Sequence, residues 1–369
     1  MTTVLAIVGT RPEVIKMAPV LAALGAENGR VRPVLCSTGQ HRELVDQALR
    51  IFDLRPDVSL DVMRPDQSLS QLTSTLFQSL DCVVRDLRPD WVVAQGDTTS
   101  VMVSAMTAFY HRLRFAHVEA GLRTGDLASP FPEEMNRLVA DKLSTLMFAP
   151  TERARRNLLA EGVDAAAIHV TGNTVVDALL AIAKREYDWA GGPLGGVPRD
   201  KRLVLVTAHR RESFGAALRC QCDAIAEIAT RFARDTHVVW PLHPNPQVLE
   251  PVRARLARAS NVTLLAPLDY VSQVHLMKRA ALILTDSGGI QEEAPTFGVP
   301  VLVLRDKTER PEGIDAGVAR LIGSDPARIV SEATALLSDA AAHAAMSGRV
   351  NPYGDGRAAG RIVDTLLAQ

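Results

Sequence analysis

Three carboxylate side chains stand at positions where this sequence changes from apolar to polar. Asp97 comes shortly after the apolar run Trp91–Ala94, Glu119 follows the run Phe115–Val118, and Glu133 opens a later amphipathic stretch. Each has an ordinary structural use as well, because Asp caps helices and Glu at a helix start complements the helix dipole. Like charges held close in a cleft raise each other's pKa, which suits acid–base work. Their grouping above neighbouring strand ends therefore favours proton transfer.

Cationic side chains form a second group with chemical potential. Arg11 and Lys16 follow the first apolar run at the start of a helix, where free N–H groups and the helix dipole reinforce positive charge toward an anion. His209, followed by two arginines, predicts a phosphate-facing loop. Solvated basic residues and an ordinary loop histidine are the structural alternatives, and position alone leaves them open.

A third group has the composition of a diphosphate cradle. Ser287, Gly288 and Gly289 follow an apolar run and open a helix. Adjacent glycines let backbone N–H groups approach a pyrophosphate without an intervening side chain. Arg310 lies in a charged loop, which either directs that arginine at a ligand or is a solvated lid.

The elements that must position these residues alternate between short apolar runs and amphipathic helices. The first helix is expected to begin at Pro12 and to be kinked or interrupted at Pro19, and the last covers Gly360–Leu367. A loop or linker at Gly191–Pro198 separates two halves of similar pattern. Such alternation predicts an α/β protein with two doubly wound Rossmann-like domains, facing across a cleft, with ligands beyond the carboxyl ends of the strands. The other predicted strands are Val4–Val8, Val34–Cys36, Leu146–Phe148, Leu203–Val206, Val238–Trp240, Val262–Leu265, Leu282–Leu284 and Val301–Leu304.

Composition excludes several classes of protein. The 369 residues include 41 Lys plus Arg and 42 Asp plus Glu, and the net charge of −1 argues against a general binder of nucleic acid or membrane surfaces. Four cysteines form no disulfide framework and no zinc-binding spacing, and we expect buried or neutral thiols in a reducing compartment. The first residues do not look like a signal peptide, and no apolar run reaches membrane-spanning length, so we expect a cytoplasmic protein.

No strand-to-helix turn carries a G-x-G-x-x-G fingerprint, which argues against bound NAD. The motifs as a set resemble those of the non-hydrolysing UDP-N-acetylglucosamine 2-epimerases. The matching strings run in order along almost the whole chain: GTRPEVIKMAP (9–19), QGDTTS (95–100), HVEAGLRTGD (117–126), PFPEEMNR (130–137), TGNTVVDAL (171–179), AHRRESFG (208–215), LTDSGGIQEEAP (284–295) and RDKTERPEG (305–313).

The resemblance implies a two-domain fold of the glycosyltransferase-B type and a homodimer, with no metal and no nicotinamide cofactor. It places an N-terminal domain at residues 1–172, completed by a C-terminal helix in 353–369, and a UDP-binding domain at 173–352. It also implies roles for individual residues. The catalytic positions are Asp97, Glu119, Glu133 and His209, the substrate contacts are Arg11 and Lys16, and the nucleotide contacts are Ser287, Gly288, Gly289, Glu293 and Arg310. Some bacterial members bind a second UDP-N-acetylglucosamine as activator, and the candidate positions for such a site are Gln40, His41, Gln67 and His243.

The chemistry of the implied substrate limits the reaction. The C2 proton of an N-acetylhexosamine is not beside a carbonyl, so a stabilised carbanion is not directly accessible. One route oxidises a neighbouring carbon with NAD, for which the sequence offers no site. The other expels UDP from C1 as the C2 proton leaves, and then adds it back to the glycal. A glycosyltransferase of the same fold, a hydrolysing epimerase and a non-catalytic nucleotide-sugar sensor remain as alternatives.

Overall fold

The computed structural model describes residues 1–39, 42–208, 210 and 214–369, which form two parallel sheets with helices between the strands. The first sheet contains β1 (Thr2–Val8), β2 (Val31–Ser37), β3 (Val58–Ser59), β4 (Trp91–Gln95), β5 (Arg114–Val118), β6 (Leu146–Ala149) and β7 (Ile168–Val170). The second contains β8 (Arg202–Thr207), β9 (Thr236–Pro241), β10 (Val262–Leu265), β11 (Ala280–Thr285), β12 (Val301–Val303) and β13 (Ala319–Leu321).

The helices follow the strands in alternation. They are α1 (Arg11–Ala26), α2 (Arg42–Ile51), α3 (Leu69–Leu87), α4 (Thr99–Tyr110), α5 (Glu133–Leu143), α6 (Glu152–Ala160), α7 (Thr174–Ala183), α8 (Ala216–Arg231), α9 (Pro246–Leu256), α10 (Tyr270–Arg279), α11 (Gly288–Glu293), α12 (Pro311–Asp315), α13 (Pro326–Ser338), α14 (Ala340–Ser347) and α15 (Ala358–Leu367). Short 3-10 turns occupy Ala165–Ala167 and Ala294–Phe297.

Both sheets are doubly wound around a central pair of strands. The first has the order β3-β2-β1-β4-β5-β6-β7 and the second the order β10-β9-β8-β11-β12-β13. All strand pairs are parallel, and the central strands are almost wholly buried because helices cover both faces. Strand order reverses between β1 and β4 and between β8 and β11, and such reversals create the crevice where ligands bind in this class of sheet.

The chain divides into two compact units. The first comprises Met1–Ala178 and Tyr353–Gln369, and the second comprises Leu179–Pro352. The C-terminal helix α15 lies in the first unit, where its residues pack near α1. The side chain of Asp177 accepts hydrogen bonds from the backbone of Ala358 and Ala359, which fixes the start of α15.

The predicted fold class is confirmed, and the differences lie mainly at element ends. Helix α1 continues through Pro19 to Ala26, so of the two predicted outcomes, a kink or an interruption, the interruption does not occur. Short edge strands β3, β7 and β13 carry too few residues for an apolar run to reveal them. Cys220 and Cys222 lie on α8, where Cys222 is buried and Cys220 is partly exposed, and Cys82 is exposed.

Two buried thiols have raised pKa values that make them unreactive. Burial raises the pKa of Cys36 and of Cys222 to about 12, so both remain protonated at neutral pH. Within the described part of the chain, no helix combines the length and the apolar character needed to cross a membrane.

Candidate active site

The predicted site residues of the first unit lie beyond the carboxyl ends of neighbouring strands. Arg11 begins α1 just after β1, Asp97 follows β4, and Glu119 is the first residue after β5. Since β1, β4 and β5 are consecutive neighbours in the sheet, these segments meet at one edge. That edge includes the point of strand-order reversal, where the fold provides a crevice.

Glu119 is buried and held by two side chains. The Lys16 ammonium lies 2.5 Å from its Oε2 atom, and Gln95 donates to the same oxygen at 2.8 Å. The Glu119 side chain is only 6% exposed, so this pair is shielded from solvent. The contact with Lys16 joins α1 to the end of β5 and places a carboxylate and a cation side by side within the crevice.

The backbone at Glu119 has a conformation that L-residues rarely adopt. Its φ is 69°, in the left-handed region, and its amide N–H donates to the carbonyl of Phe148 at 3.0 Å. Non-glycine residues in this region cost about 1 kcal/mol and concentrate at functional sites. Gly121, also left-handed, would place a Cβ 2.4 Å from the carbonyl oxygen of Ala154, so only glycine fits there.

Asp97 is held by helix α5. Arg137 donates to its Oδ2 atom at 2.5 Å, and Asn136 donates to its backbone carbonyl at 2.9 Å. The Asp97 side chain keeps 32% exposure, so it remains accessible to a ligand. Glu133 is the first residue of the same helix and is partly exposed. The helix thus connects the Asp97 turn to the third predicted carboxylate.

A fourth carboxylate, Glu13, is buried beneath these turns. Its Oε2 atom accepts from the backbone N–H groups of Gly9 at 2.5 Å and Thr10 at 2.9 Å, and Oε1 accepts from the Thr98 hydroxyl at 2.6 Å. Burial raises the pKa of Glu13 to about 7, although these hydrogen bonds act in the opposite direction and Asp97 adds to the increase. Glu13 therefore joins the turn after β1 to the start of α4.

A buried histidine–aspartate pair lies at the same edge. His117 Nδ1 is 2.6 Å from Asp141 Oδ1, and Nε2 is 2.7 Å from the Gly96 carbonyl. Arg123 lies 2.7 Å from the other Asp141 oxygen. Burial alone would raise the pKa of Asp141, but His117 and Arg123 outweigh it and keep that pKa below its usual range.

In the second unit, the predicted diphosphate cradle follows β11. Ser287 precedes α11 as its N-cap residue, and Gly288 and Gly289 are the first two residues of the helix. A Cβ at Gly289 would meet only side-chain atoms, no nearer than 3.9 Å, and Gly289 is exposed. The backbone there is accessible, and its N–H groups belong to the first turn of a helix.

Glu292 positions the predicted ligand arginine of this unit. The guanidinium of Arg310 donates through Nε to Glu292 Oε1, and the Glu292 side chain is 3% exposed. One residue earlier on α11, Gln291 accepts from the Thr308 hydroxyl at 2.6 Å. The loop that carries Arg310 is thereby fixed to the helix that begins with the two glycines. Glu293, predicted at the ribose, is the last residue of α11 and partly exposed.

The structure does not place several predicted residues with the carboxylates of the first unit or with the residues around α11 in the second. His209, Gln40 and His41 lie outside the described residues. Gln67 accepts from the backbone of Arg64 at 3.2 Å in the first unit, and His243 accepts from Asn245 at 3.2 Å in the second. The second nucleotide-sugar site therefore stays a prediction.

Four residues that lie among the carboxylates could not be assigned a role from the sequence. These are Glu13, Gln95, His117 and Arg137. Glu13 occupies the third position of a helix, where Glu commonly accepts from the preceding backbone, and this is the only signal that could have indicated its burial. The other contacts form between elements far apart in sequence. Within the described part of the chain, no three His, Cys, Asp or Glu residues are grouped so as to hold a metal ion.

The fold and these two groups of residues are those of an α/β enzyme. The first unit carries the group of carboxylates, and the second carries a helix that begins with two glycines. The family model of UDP-N-acetylglucosamine 2-epimerase matches residues 23–367. The chain belongs to this family, whose members are isomerases. The resemblance inferred from the motifs is thus confirmed.

Individual relatives match over the full length. The UDP-N-acetylglucosamine 2-epimerase of Escherichia coli K12 is 48% identical over 369 residues, covering 98% of each chain. A solved structure from Listeria monocytogenes has a TM-score of 0.93 at 43% identity and covers 99% of this chain and 95% of its own. The Neisseria meningitidis UDP-GlcNAc 2-epimerase, solved with UDP-GlcNAc bound, has a TM-score of 0.88 at 41% identity, covering 100% of both chains.

Proposed function

We propose that this protein interconverts UDP-N-acetylglucosamine and UDP-N-acetylmannosamine by inverting C2 of the sugar. The observation that carries the proposal is the position of Glu119. Its buried carboxylate contacts Lys16 and Gln95, and its backbone has a left-handed conformation in the turn beside the Asp97 turn. Family membership over almost the whole chain supports the choice of substrate.

The proposed reaction is an anti elimination followed by re-addition. A carboxylate takes the C2 proton, the C2–H electrons form the C1=C2 double bond of a glycal, and the C1–O electron pair leaves with UDP. UDP then attacks C1 again while a proton is delivered to the opposite face of C2. No net oxidation occurs, so no redox co-reactant is needed. Asp97, Glu119 and Glu133 share the proton transfers and the positioning of the sugar.

Holding UDP through both steps is the other requirement. We assign this to Arg11, His209, the backbone N–H groups at Ser287–Gly289 and Arg310, with Glu293 at the ribose. Glu292 supports this assignment for Arg310, because it fixes the guanidinium beside α11. A preorganised donor that faces developing negative charge commonly contributes about 3 kcal/mol to transition-state stabilisation.

The test is incubation of the purified protein with UDP-N-acetylglucosamine as sole substrate, followed by NMR. The proposal expects a mixture of the two UDP-sugars at equilibrium. Release of free N-acetylmannosamine with UDP would indicate a hydrolysing epimerase instead. Turnover that requires an added acceptor would indicate a glycosyltransferase, and binding without turnover would indicate a sensor.

We also propose that the protein forms a homodimer, as the family resemblance implies. The residues Phe109 and Tyr110 at the end of α4 are 59% and 65% exposed, which supports an apolar contact surface there. Light scattering coupled to size exclusion should give twice the 39.9 kDa chain mass. A mass of one chain at micromolar concentration would contradict the dimer.

A further inference from the structure

The charge state of His117 is determined by what its two ring nitrogens face. Nε2 lies 2.7 Å from the Gly96 carbonyl, which can only accept, so this nitrogen carries a proton. Nδ1 lies 2.6 Å from Asp141, whose other oxygen is bound by Arg123 at 2.7 Å and by the Gly121 amide at 3.1 Å. These donors keep Asp141 ionised, so Nδ1 carries a proton as well.

The surroundings agree with a doubly protonated ring. Burial alone would lower the pKa of His117, but Asp141, the Gly96 carbonyl and the more distant Asp97 together raise it above its usual range. The ring is fully buried, so solvent cannot supply an alternative partner. Glu161 accepts from Arg123 at 2.6 and 2.8 Å, which completes a chain of alternating charges from His117 to the surface.

The His117–Asp141 pair lies between the two turns that carry the reactive carboxylates. The carbonyl of Gly96, one residue before Asp97, accepts from His117, and the Gly96 amide donates to Val118 at 3.1 Å. On the other side, the amide of Gly121, two residues after Glu119, donates to Asp141. Both turns are therefore held by one buried ion pair.

We infer that His117 is a permanently charged imidazolium which, with Asp141, fixes the Asp97 and Glu119 turns relative to each other. It is a positioning residue, since it reaches neither carboxylate directly. A neutral imidazole can donate to only one of the two acceptors, and misplacement of a reacting group by about 1 Å can cost roughly a hundredfold in rate. The kinetic part of the inference rests on the proposed function, whereas the charge state does not.

The charge is tested on the unmodified protein, without turnover. With 15N-labelled histidine at about pH 8.5, two units above the ordinary His pKa of about 6.5, His117 should give two ring N–H signals, both absent from the spectrum of H117Q. An unprotonated ring nitrogen assigned to His117 at that pH would overturn the inference even if the protein epimerises its substrate.

The positioning role is tested by kinetics. H117Q should lower kcat by about 10- to 100-fold with KM changed by less than about threefold, because the proposed reacting carboxylates would be misplaced. H111N is the matched control, because His111 also pairs with an aspartate, Asp81 at 2.7 Å, but follows the far end of α4. It should retain normal kcat. If H117Q does not fold, D141N takes its place. Normal kcat in the folded variant would overturn the positioning role.

Discussion

The Lys16 ammonium and the Glu119 carboxylate lie 2.5 Å apart, with side chains only 13% and 6% exposed. Sequence resemblance placed Lys16 among the substrate contacts and Glu119 among the catalytic groups, without relating one to the other. Because the two are paired, the negative charge of Glu119 in the crevice is neutralised by the ammonium group of Lys16. A buried pair of this kind is costly to break, because the remaining partner keeps an uncompensated charge.

Substitution E119Q should impair proton transfer while leaving the nucleotide site intact. The amide keeps the size of the side chain but can neither accept nor deliver a proton, so we expect turnover to fall by at least about a hundredfold. UDP binding, measured by calorimetry, should change little, because the proposed diphosphate cradle at Ser287–Gly289 belongs to the other unit. E152Q, which changes a carboxylate with a 67% exposed side chain in the first unit, is the control. Near-normal turnover in E119Q would remove Glu119 from the chemistry.

A substitution at Gly289 can distinguish an effect on protein stability from an effect on UDP binding. G289A should leave the fold intact or stabilise it by up to about 1 kcal/mol, since Ala is the better helix former and its Cβ meets nothing closer than 3.9 Å. The same methyl group should obstruct a diphosphate, weakening UDP binding by at least about tenfold, the scale of one lost charged hydrogen bond.

G360A provides the matched control for that variant. Gly360 lies within α15, and a Cβ there would meet no atom within 4 Å. It should gain stability in the same way while binding UDP normally. If G289A binds UDP as tightly as the parent, the helix start at Ser287–Gly289 does not hold the diphosphate.

The buried carboxyl of Glu13 should make stability depend on pH. Its folded pKa of about 7 exceeds the ordinary 4.5, so between these values the folded state binds a proton that the unfolded state lacks. The free energy of unfolding therefore falls as pH rises through this window, by about 3 kcal/mol at roughly 1.4 kcal/mol per pKa unit, and the contribution is lost above the folded pKa.

Substitution E13Q should remove this dependence. Urea unfolding at several values from about pH 4.5 to about pH 8 should show E13Q gaining stability relative to the parent as pH rises. E152Q should follow the parent throughout. Parallel profiles for E13Q and the parent would mean that Glu13 does not titrate in this range.

The sequence predicted the elements well where they are long and buried. The run Phe115–Val118 is nearly the observed β5, and its end correctly predicted that Glu119 lies at the carboxyl edge of the sheet. Parallel strands covered on both faces produce continuous apolar runs, and those runs make their ends visible. The left-handed φ of Glu119 is not visible in the same way, because it depends on how this turn packs.

The contacts that hold the candidate site could not be predicted from local pattern. Thr98 and Glu13 are 85 positions apart, and Lys16 and Glu119 are 103 apart, so neither pair leaves a periodic signal. His117 resembles a core residue of β5 in sequence, and only the positions of Asp141 and the Gly96 carbonyl give it a charge. Tertiary placement, which short-range spacing does not encode, determines these relationships.

The most direct test of the account is epimerisation in deuterated water. Elimination gives the C2 proton to a carboxylate that exchanges with solvent, so re-addition returns deuterium to C2. Proton NMR should show loss of the C2 signal in the product and, with time, in recovered UDP-N-acetylglucosamine. Epimerisation with full retention of the original C2 proton would contradict the elimination mechanism.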